Sequence, residues 1–351
     1  MLPDGRRLGA HLATADGMVK AADRAVEIGA TAVQIFSDNP TAWDRRSAAS
    51  PEIPAFRRVL ERAGIAPLVI HGSYLINLAG DDEAFHDASI RLVAAELETA
   101  RWFGARIVNI HVGSHRGSGV EAGIERIVDG LRRAFATESS PSIGGVSGPP
   151  VVALENSAGG GGGLGVDIAE LATIAAAVDR AGIPRSRVAF CLDTAHLWGA
   201  GFDIADPAVV DRLVRTFHDA IGIDRLPLVH LNDTKAELGS RMDRHQHLGA
   251  GQIGPAGLAA FLQHPLLADT AFVIETPGME DGYDAINLRR AEAIAEGREL
   301  EPLPEGALTL RGSRSRAARP RVDVETGGGG GRPGTRQPSR DLASVRSSDE
   351  T

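Results

Sequence analysis

Cysteine is nearly absent from this chain. Cys191 is the single one in 351 residues, so no internal disulfide can form, and such usage fits a reducing compartment. Long apolar runs are absent too: none reaches the ~18 residues that a membrane span needs. The N-terminal stretch MLPDGRRLGAHLATADG holds no apolar signal core. The expectation is a cytoplasmic protein with no membrane partner. At 43% apolar and 24% charged residues, the balance is that of a globular protein, which excludes a coiled coil and a wholly disordered chain. The length suits one large domain or two ordinary ones and can bury a core unaided.

Basic charge is scarce and unevenly placed. The formal net charge is −9, yet residues 311–351 hold nine arginines against five acidic residues. The preceding 310 residues therefore carry 28 basic and 41 acidic groups, a net of −13. Taken alone, so acidic a core argues against nucleic acid, whose phosphates favour Lys and Arg. The C-terminal segment, with RGSRSRAARPRV and TGGGGGRPGTRQPSR, is too apolar-poor to offset the entropy of ordering. The reading is a domain over 1–305 and a disordered Arg/Gly/Pro-rich tail over 306–351.

Within the domain, short β-branched runs alternate with longer amphipathic ones. Strands are predicted at 8–12, 31–37, 67–74, 106–113, 151–157, 188–196, 227–233 and 271–278. Helical patterns follow at 17–29, 54–64, 83–104, 123–136, 168–182, 206–222, 255–265 and 283–297. Eight such units imply a parallel sheet covered by helices, and at this length a (β/α)8 TIM barrel. A doubly wound open sheet is the weaker alternative, because no GxGxxG follows the first strand. The stretch TESSPSIGGVSGPP (137–150) interrupts the pattern like an insertion.

In a parallel barrel, chemistry sits where strands end and loops begin. Here those ends are loaded with metal-binding side chains: His71, His111, Glu155, Asp193 with His196, His230 and Glu275. Asp243 and His245 follow in SRMDRHQHLGAG, after the seventh strand. Any one of these nine is more often a hydrogen-bonded structural residue. Nine nitrogen and oxygen donors on one face are a ligand set for zinc, manganese or iron, and exceed what one ion can use. Two or three ions fit, and paired metals suit hydrolysis of a phosphodiester. Cys191 lies within the sixth strand and reads as core. His11, in the first strand, reads as a residue behind the ligands.

These same stretches carry a family likeness. The segments GAHLATADG, IFSDNPTAW, HGSYLINLA, NIHVGS, LENSAGGG, CLDTAHLWGAGFD, HLNDTKAELGSRMDRHQHLGAGQIG and IETPG recur in order from about residue 8 to about 300. In them the chain resembles the endonuclease IV family of zinc-dependent apurinic/apyrimidinic endonucleases, whose barrels are xylose-isomerase-like. The resemblance implies three zinc ions, with manganese as the alternative. His71, His111 and Glu155 would hold the first. Glu155, Asp193, His230 and Glu275 would hold the second, and His196, Asp243 and His245 the third. It further implies base excision repair, with a metal-activated hydroxide attacking the phosphorus 5′ to an abasic site in duplex DNA. The products would be a 3′-hydroxyl and a 5′-deoxyribose phosphate, with Glu155 and Glu275 at the reacting centre and a monomeric enzyme. Tyr74 matches the family's wedge in the minor groove, and Asn39 and Trp43 match the loop after the second strand. Family members often carry an inserting arginine in that loop, where this chain has Pro40, Thr41 and Ala42. Arg45 and Arg46, just beyond, are the candidates to compensate, so Tyr74, Asn39 and Arg45 are the expected DNA contacts. Three zinc ions would move the core charge from −13 to −7, and the arginine tail is a further candidate for phosphate binding.

Two other readings compete. A sugar isomerase or epimerase of the xylose-isomerase-like barrels would use one divalent ion on Glu155, Asp193, His230 and Glu275, leaving five ligands without a role. A DNA-damage-binding protein without turnover would keep the barrel and break the ligand set, and no position here is broken.

Overall fold

The computed structural model describes residue 2, residues 4–138 and residues 148–310. Most of the insertion-like loop and the tail from residue 311 onward lie outside these described residues. The strands in chain order are β1 (Leu8–Leu12), β2 (Ala32–Phe36), β3 (Leu68–His71), β4 (Ile107–His111), β5 (Val151–Glu155), β6 (Val188–Asp193), β7 (Leu228–His230), β8 (Asp233–Thr234), β9 (His245–Gln246) and β10 (Ala271–Ile274). Eight of them run parallel and close a barrel in the order β1-β2-β3-β4-β5-β6-β7-β10. Closure comes from pairing of Leu8 with Phe272 and of Ala10 with Ile274. Gly9 is required there, since a Cβ would lie 1.8 Å from the Ala32 carbonyl oxygen on the next strand.

The outer layer is α1 (Met18–Glu27), α2 (Ile53–Ala63), α3 (Glu83–Phe103), α4 (Val120–Ala136), α5 (Ile168–Arg180), α7 (Pro207–Ala220), α8 (Gly254–Gln263) and α9 (Tyr283–Glu296), with the short α6 (Thr194–Ala200) after β6. Several start signals are chemical. The Asp82 carboxylate accepts the Phe85 N–H at 3.0 Å, and Asp167 accepts that of Glu170 at 2.8 Å, each satisfying an amide left open by the first turn. No helix among the described residues is long and apolar enough to cross a membrane.

Three expectations change. The sixth strand ends at Asp193, and His196 sits on α6 rather than at a strand end. After β7, the short strands β8 and β9 pair antiparallel as a small hairpin. The boundary at residue 305 moves outward: Ala307 is buried and its carbonyl accepts a hydrogen bond from His247 Nε2 at 3.1 Å.

The barrel strands are buried on both faces, as a helix-covered parallel sheet requires. The larger core lies between strands and helices, with Phe56, Phe103, Phe190, Phe217, Phe261 and Phe272 among its fully buried side chains. A second cluster fills the barrel interior: Ala32, Val69, Ile107, Ala153, Cys191, Leu228, Ala271 and Val273. Cys191 is therefore core, as read from the sequence.

Candidate metal centre

Side chains two apart on a strand share a face. Starting from the inner cluster and moving two residues toward each C-terminal end, Ala32 leads to Gln34, Val69 to His71, and Ile107 to Asn109 and then His111. In the same way Ala153 leads to Glu155, Cys191 to Asp193, Leu228 to His230 and Val273 to Glu275. The apolar plug of the barrel thus gives way, one step up, to a ring of polar groups. His196 comes from the first turn of α6, where its N–H is accepted by the Asp193 carboxylate at 2.9 Å. Asp243 and His245 come from the β8–β9 hairpin.

All nine predicted ligands meet at this mouth. His71, His111 and Glu155 form one cluster, Glu155, Asp193 and His230 a second, and Asp193, His196 and His245 a third. Glu155 Oε2 lies 3.7 Å from His71 Nε2 and 3.6 Å from His111 Nε2. Its other oxygen, Oε1, lies 3.3 Å from His230 Nδ1. Glu275 Oε2 lies 3.5 Å from the same nitrogen. His196 Nε2 and His245 Nε2 lie 3.6 and 2.9 Å from the two oxygens of Asp243. Asp193 Oδ2 stands 3.6 Å from His245 Nε2 and 3.9 Å from His230 Nδ1. It therefore borders two clusters, where the sequence placed it in one.

Ring orientation tests whether these residues fit metal ions. His71, His196 and His245 direct Nδ1 at backbone carbonyls, those of Gly72, Asn156 and Glu275, at 2.8, 2.9 and 2.9 Å. A ring that donates there keeps the lone pair of its neutral form on Nε2, the nitrogen turned to the carboxylates. His230 is reversed: Nε2 faces Gln34 Oε1 at 2.9 Å, and Nδ1 faces the acids. His245 Nε2 is buried and makes no well-aligned hydrogen bond, although Asp243 Oδ1 lies 2.9 Å away. Lone pairs aimed at carboxylate oxygens across 3 to 4 Å repel unless a cation, a proton or a metal, lies between them. The donor set fits zinc, with manganese as a second choice.

The electrostatics agree. Burial pushes the Glu155 carboxyl up, but His230 and His111 outweigh it and hold it well below its ordinary value. Against the same burial, Glu275 is held low by His230, His11 and His71, and Asp243 by His245 and His196. In return, burial notwithstanding, Asp193 and Asp243 keep His196 well above its ordinary value, and Asp243 and Asp193 raise His245 to about 10. His230 also rises against burial. Burial drives the neighbouring Cys191 thiol up to about 12, so that thiol is neutral, and Glu275 and Glu155 supply the attraction. Without metal, His196, His230 and His245 hold protons in the places that cations would take, whereas burial lowers His111.

Four amides that the sequence reading passed over hold the acidic residues, three by the carboxylate and one by the backbone. Asn109 Nδ2 donates to Glu155 Oε2 at 2.6 Å, and Asn232 Nδ2 to Asp193 Oδ2 at 2.7 Å. Asn156 Oδ1 accepts the Asp193 N–H at 2.6 Å, and Gln34 Nε2 donates to Glu275 Oε1 at 2.7 Å. The signal for Gln34 and Asn109 was present: both continue the inward alternation of their strands. The hairpin is tied from below by Asp233. Its carboxylate accepts the N–H groups of Thr234, Gly249, Gly251 and Ile253 at 2.8 to 3.0 Å.

The rim separates the expected DNA contacts. Tyr74 is 38% exposed, with its ring 5.7 Å from that of His71 and 6.1 Å from that of His111. Asn39 is exposed, but its Oδ1 accepts the Thr41 N–H and hydroxyl at 3.0 and 2.9 Å, shaping the turn. Arg45 is corrected. Its side chain is only 7% exposed and lies 3.3 Å from the buried Glu96. Its Nη1 donates to the carbonyls of Ala42, Asp44 and Asn39. Arg46 is bound to Asp38 at 2.8 Å. Both guanidinium groups brace the loop from within. Trp43 is the exposed large side chain of that loop, with its ring 5.8 Å from that of exposed Phe85.

Residues 22–300 match the family described as the xylose isomerase-like TIM barrel. A protein of Halothermothrix orenii named probable endonuclease 4 is 36% identical over 289 residues, which is 82% of this chain and 100% of that one. The crystal structure of endonuclease IV from Thermus thermophilus superposes with a TM-score of 0.70 at 37% identity, covering 83% of this chain and 99% of the other. A D-tagatose 3-epimerase-like protein superposes at 0.57 with 15% identity, covering 83% and 96%, a likeness of fold alone.

Proposed function

The chain belongs to the endonuclease IV family, and from that premise we propose that it hydrolyses the phosphodiester 5′ to an abasic site in duplex DNA, in base excision repair. One observation supports this reading above the others: five imidazoles and four carboxylates crowd one barrel mouth with their lone pairs turned on each other. His71, His111 and Glu155 would hold one zinc, Glu155, Asp193, His230 and Glu275 a second, and His196, Asp243 and His245 a third. Asp193, with Oδ2 3.6 Å from His245 Nε2, would be a further donor to the third. Bound zinc supplies a nucleophile at neutral pH and stabilises charge on a phosphoryl group in transition.

The chain's own residues do the positioning. Glu155 presents one oxygen to each of two clusters, so a single side chain sets their separation. The amide hydrogen bonds to Glu155, Asp193 and Glu275 fix the donors before substrate arrives, so little reorganisation accompanies reaction. His111 and Asp243 are the more open ligands, at 38% and 37% exposure, and mark the side from which a phosphate enters. Tyr74 stands beside His111, where it can meet the duplex. A nucleotide without a base loses little stacking on leaving the helix, which favours abasic sites. The proposed ligands are complete within one chain, consistent with a monomer.

The isomerase reading accounts for Glu155, Asp193, His230 and Glu275 but not for the other five donors facing the same space. The deciding experiment is nicking of a duplex with one synthetic abasic site by zinc-loaded protein, beside a matched undamaged duplex and a Glu155→Ala variant. Cleavage at the lesion alone, leaving a 3′-hydroxyl and lost in the variant, is the expected result. Failure of zinc-loaded, folded protein to cut would overturn the assignment.

A further inference from the structure

We propose that Gln34 is a positioning residue of the middle metal cluster, one side chain that sets the donor atoms of both His230 and Glu275. This rests on the metal-centre reading given above. Gln34 lies on β2, a strand that contributes no proposed ligand, and its side chain is fully buried inside the barrel. Its amide spans the gap between two strands that do contribute. Oε1 accepts from His230 Nε2 at 2.9 Å, and Nε2 donates to Glu275 Oε1 at 2.7 Å. The reversed amide would set its oxygen against the Glu275 carboxylate and its NH2 against the Nε2–H of His230, so the orientation is fixed by both partners.

Two consequences follow from this bridge. The His230 ring is held with Nε2 occupied, so its donor is Nδ1, whereas His71, His196 and His245 turn Nε2 inward. Glu275 Oε1 is capped by Gln34 and also approached by His11 Nδ1 at 3.1 Å. Its Oε2 is thereby turned toward His230 Nδ1, 3.5 Å away. A rigid planar amide therefore selects one atom on each of two ligands and sets the gap between them. His11, 3.0 Å from Gln34 Nε2, backs the same carboxylate from the first strand.

The test compares wild type with Gln34→Met, which keeps the volume and loses both hydrogen bonds. Gln34→Asn is the second variant, since its amide falls one methylene short of both partners while staying polar. Zinc per chain is measured after dialysis, zinc release is timed against a chelator, and the visible spectrum of the cobalt-substituted proteins is recorded. Loss of a hydrogen bond behind a ligand typically weakens a metal by 10- to 100-fold. The expected result is one equivalent released about 10- to 100-fold more readily in either variant, the others held as in wild type, with altered cobalt bands. A role in barrel packing alone would lower thermal stability and leave cobalt bands and release rates unchanged, and that outcome overturns the inference. A wild-type chain that takes up no metal overturns the metal-centre reading and this inference together, so the two failures are distinguishable.

Discussion

The hairpin that brings Asp243 and His245 to the centre hangs on one close approach, and Gly251→Ala should release it. A Cβ at Gly251 would lie 2.4 Å from Asp233 Oδ1 and 2.4 Å from the Thr234 carbonyl oxygen. Neither can yield cheaply: one is backbone, and the other is a carboxylate held by four N–H groups. Relief must come from the 249–251 turn moving away, which stretches the hydrogen bonds from Gly249 and Gly251 to Asp233. Overpacking costs about 1–3 kcal/mol, and a weakened bond to a buried charge up to about 1.5–3 kcal/mol. Because the turn gains water as it moves, a total of about 2–5 kcal/mol is expected. Urea denaturation should show a lower midpoint at unchanged slope. Zinc analysis should show one equivalent lost, from the His196, Asp243 and His245 cluster, with the deeper clusters filled. Ala250→Ser next door, at a half-buried position that already carries a Cβ, should stay within about 0.5 kcal/mol of wild type. A Gly251→Ala protein of wild-type stability with its full complement of zinc would refute the reasoning.

Other outcomes follow from the same structure. Arg45→Ala should destabilise the fold by up to about 3 kcal/mol by leaving the buried Glu96 with the Ser37 hydroxyl but no cation, while affinity for an abasic duplex, measured by anisotropy on folded protein, stays that of wild type if the side chain only braces its loop. Metal-stripped protein should be most stable, in thermal melts, between the ordinary carboxyl value of 4.5 and the ordinary imidazole value of 6.5. The raised imidazoles, such as His245 near 10, favour folding below 6.5 and lose that contribution as pH climbs, whereas the depressed Glu155 and Glu275 favour it above 4.5 and lose it on acidification. Zinc competes with those protons, so the loaded protein should have its optimum at higher pH. Chelation should abolish nicking, and added zinc should restore it. Cys191, buried with its thiol pushed to about 12, should resist alkylation until the protein unfolds.

Much of this was legible from the chain. The eight strand runs and eight helical patterns each have their counterpart, because β-branched runs and 3.6-residue periodicity are local signals. The nine donors were legible because the fold, once inferred, names the end of each strand as the working face. What local pattern could not supply was direction. Arg45 reads as a free charge in a polar loop, and only the path of α3 shows that Glu96 waits beneath it. His196 reads as the end of a strand because CLDTAH is apolar enough to continue, yet the Asp193 carboxylate caps a helix one residue on. Gln34 and Asn109 read as ordinary strand residues, since their partners lie on strands far away in sequence. The packed turn at 307–309 was hidden by the Gly- and Arg-rich sequence that follows it.

The inward row of the barrel has a further consequence for how the protein comes into being. Consecutive donors at the barrel-strand ends lie tens of residues apart, from His71 on β3 to Glu275 just after β10, and the last arrives with the strand that pairs with β1. No segment short of that strand holds the whole set, although His71, His111 and Glu155 are all present by residue 155. The complete set of donors is therefore a product of barrel closure and of no single stretch of chain.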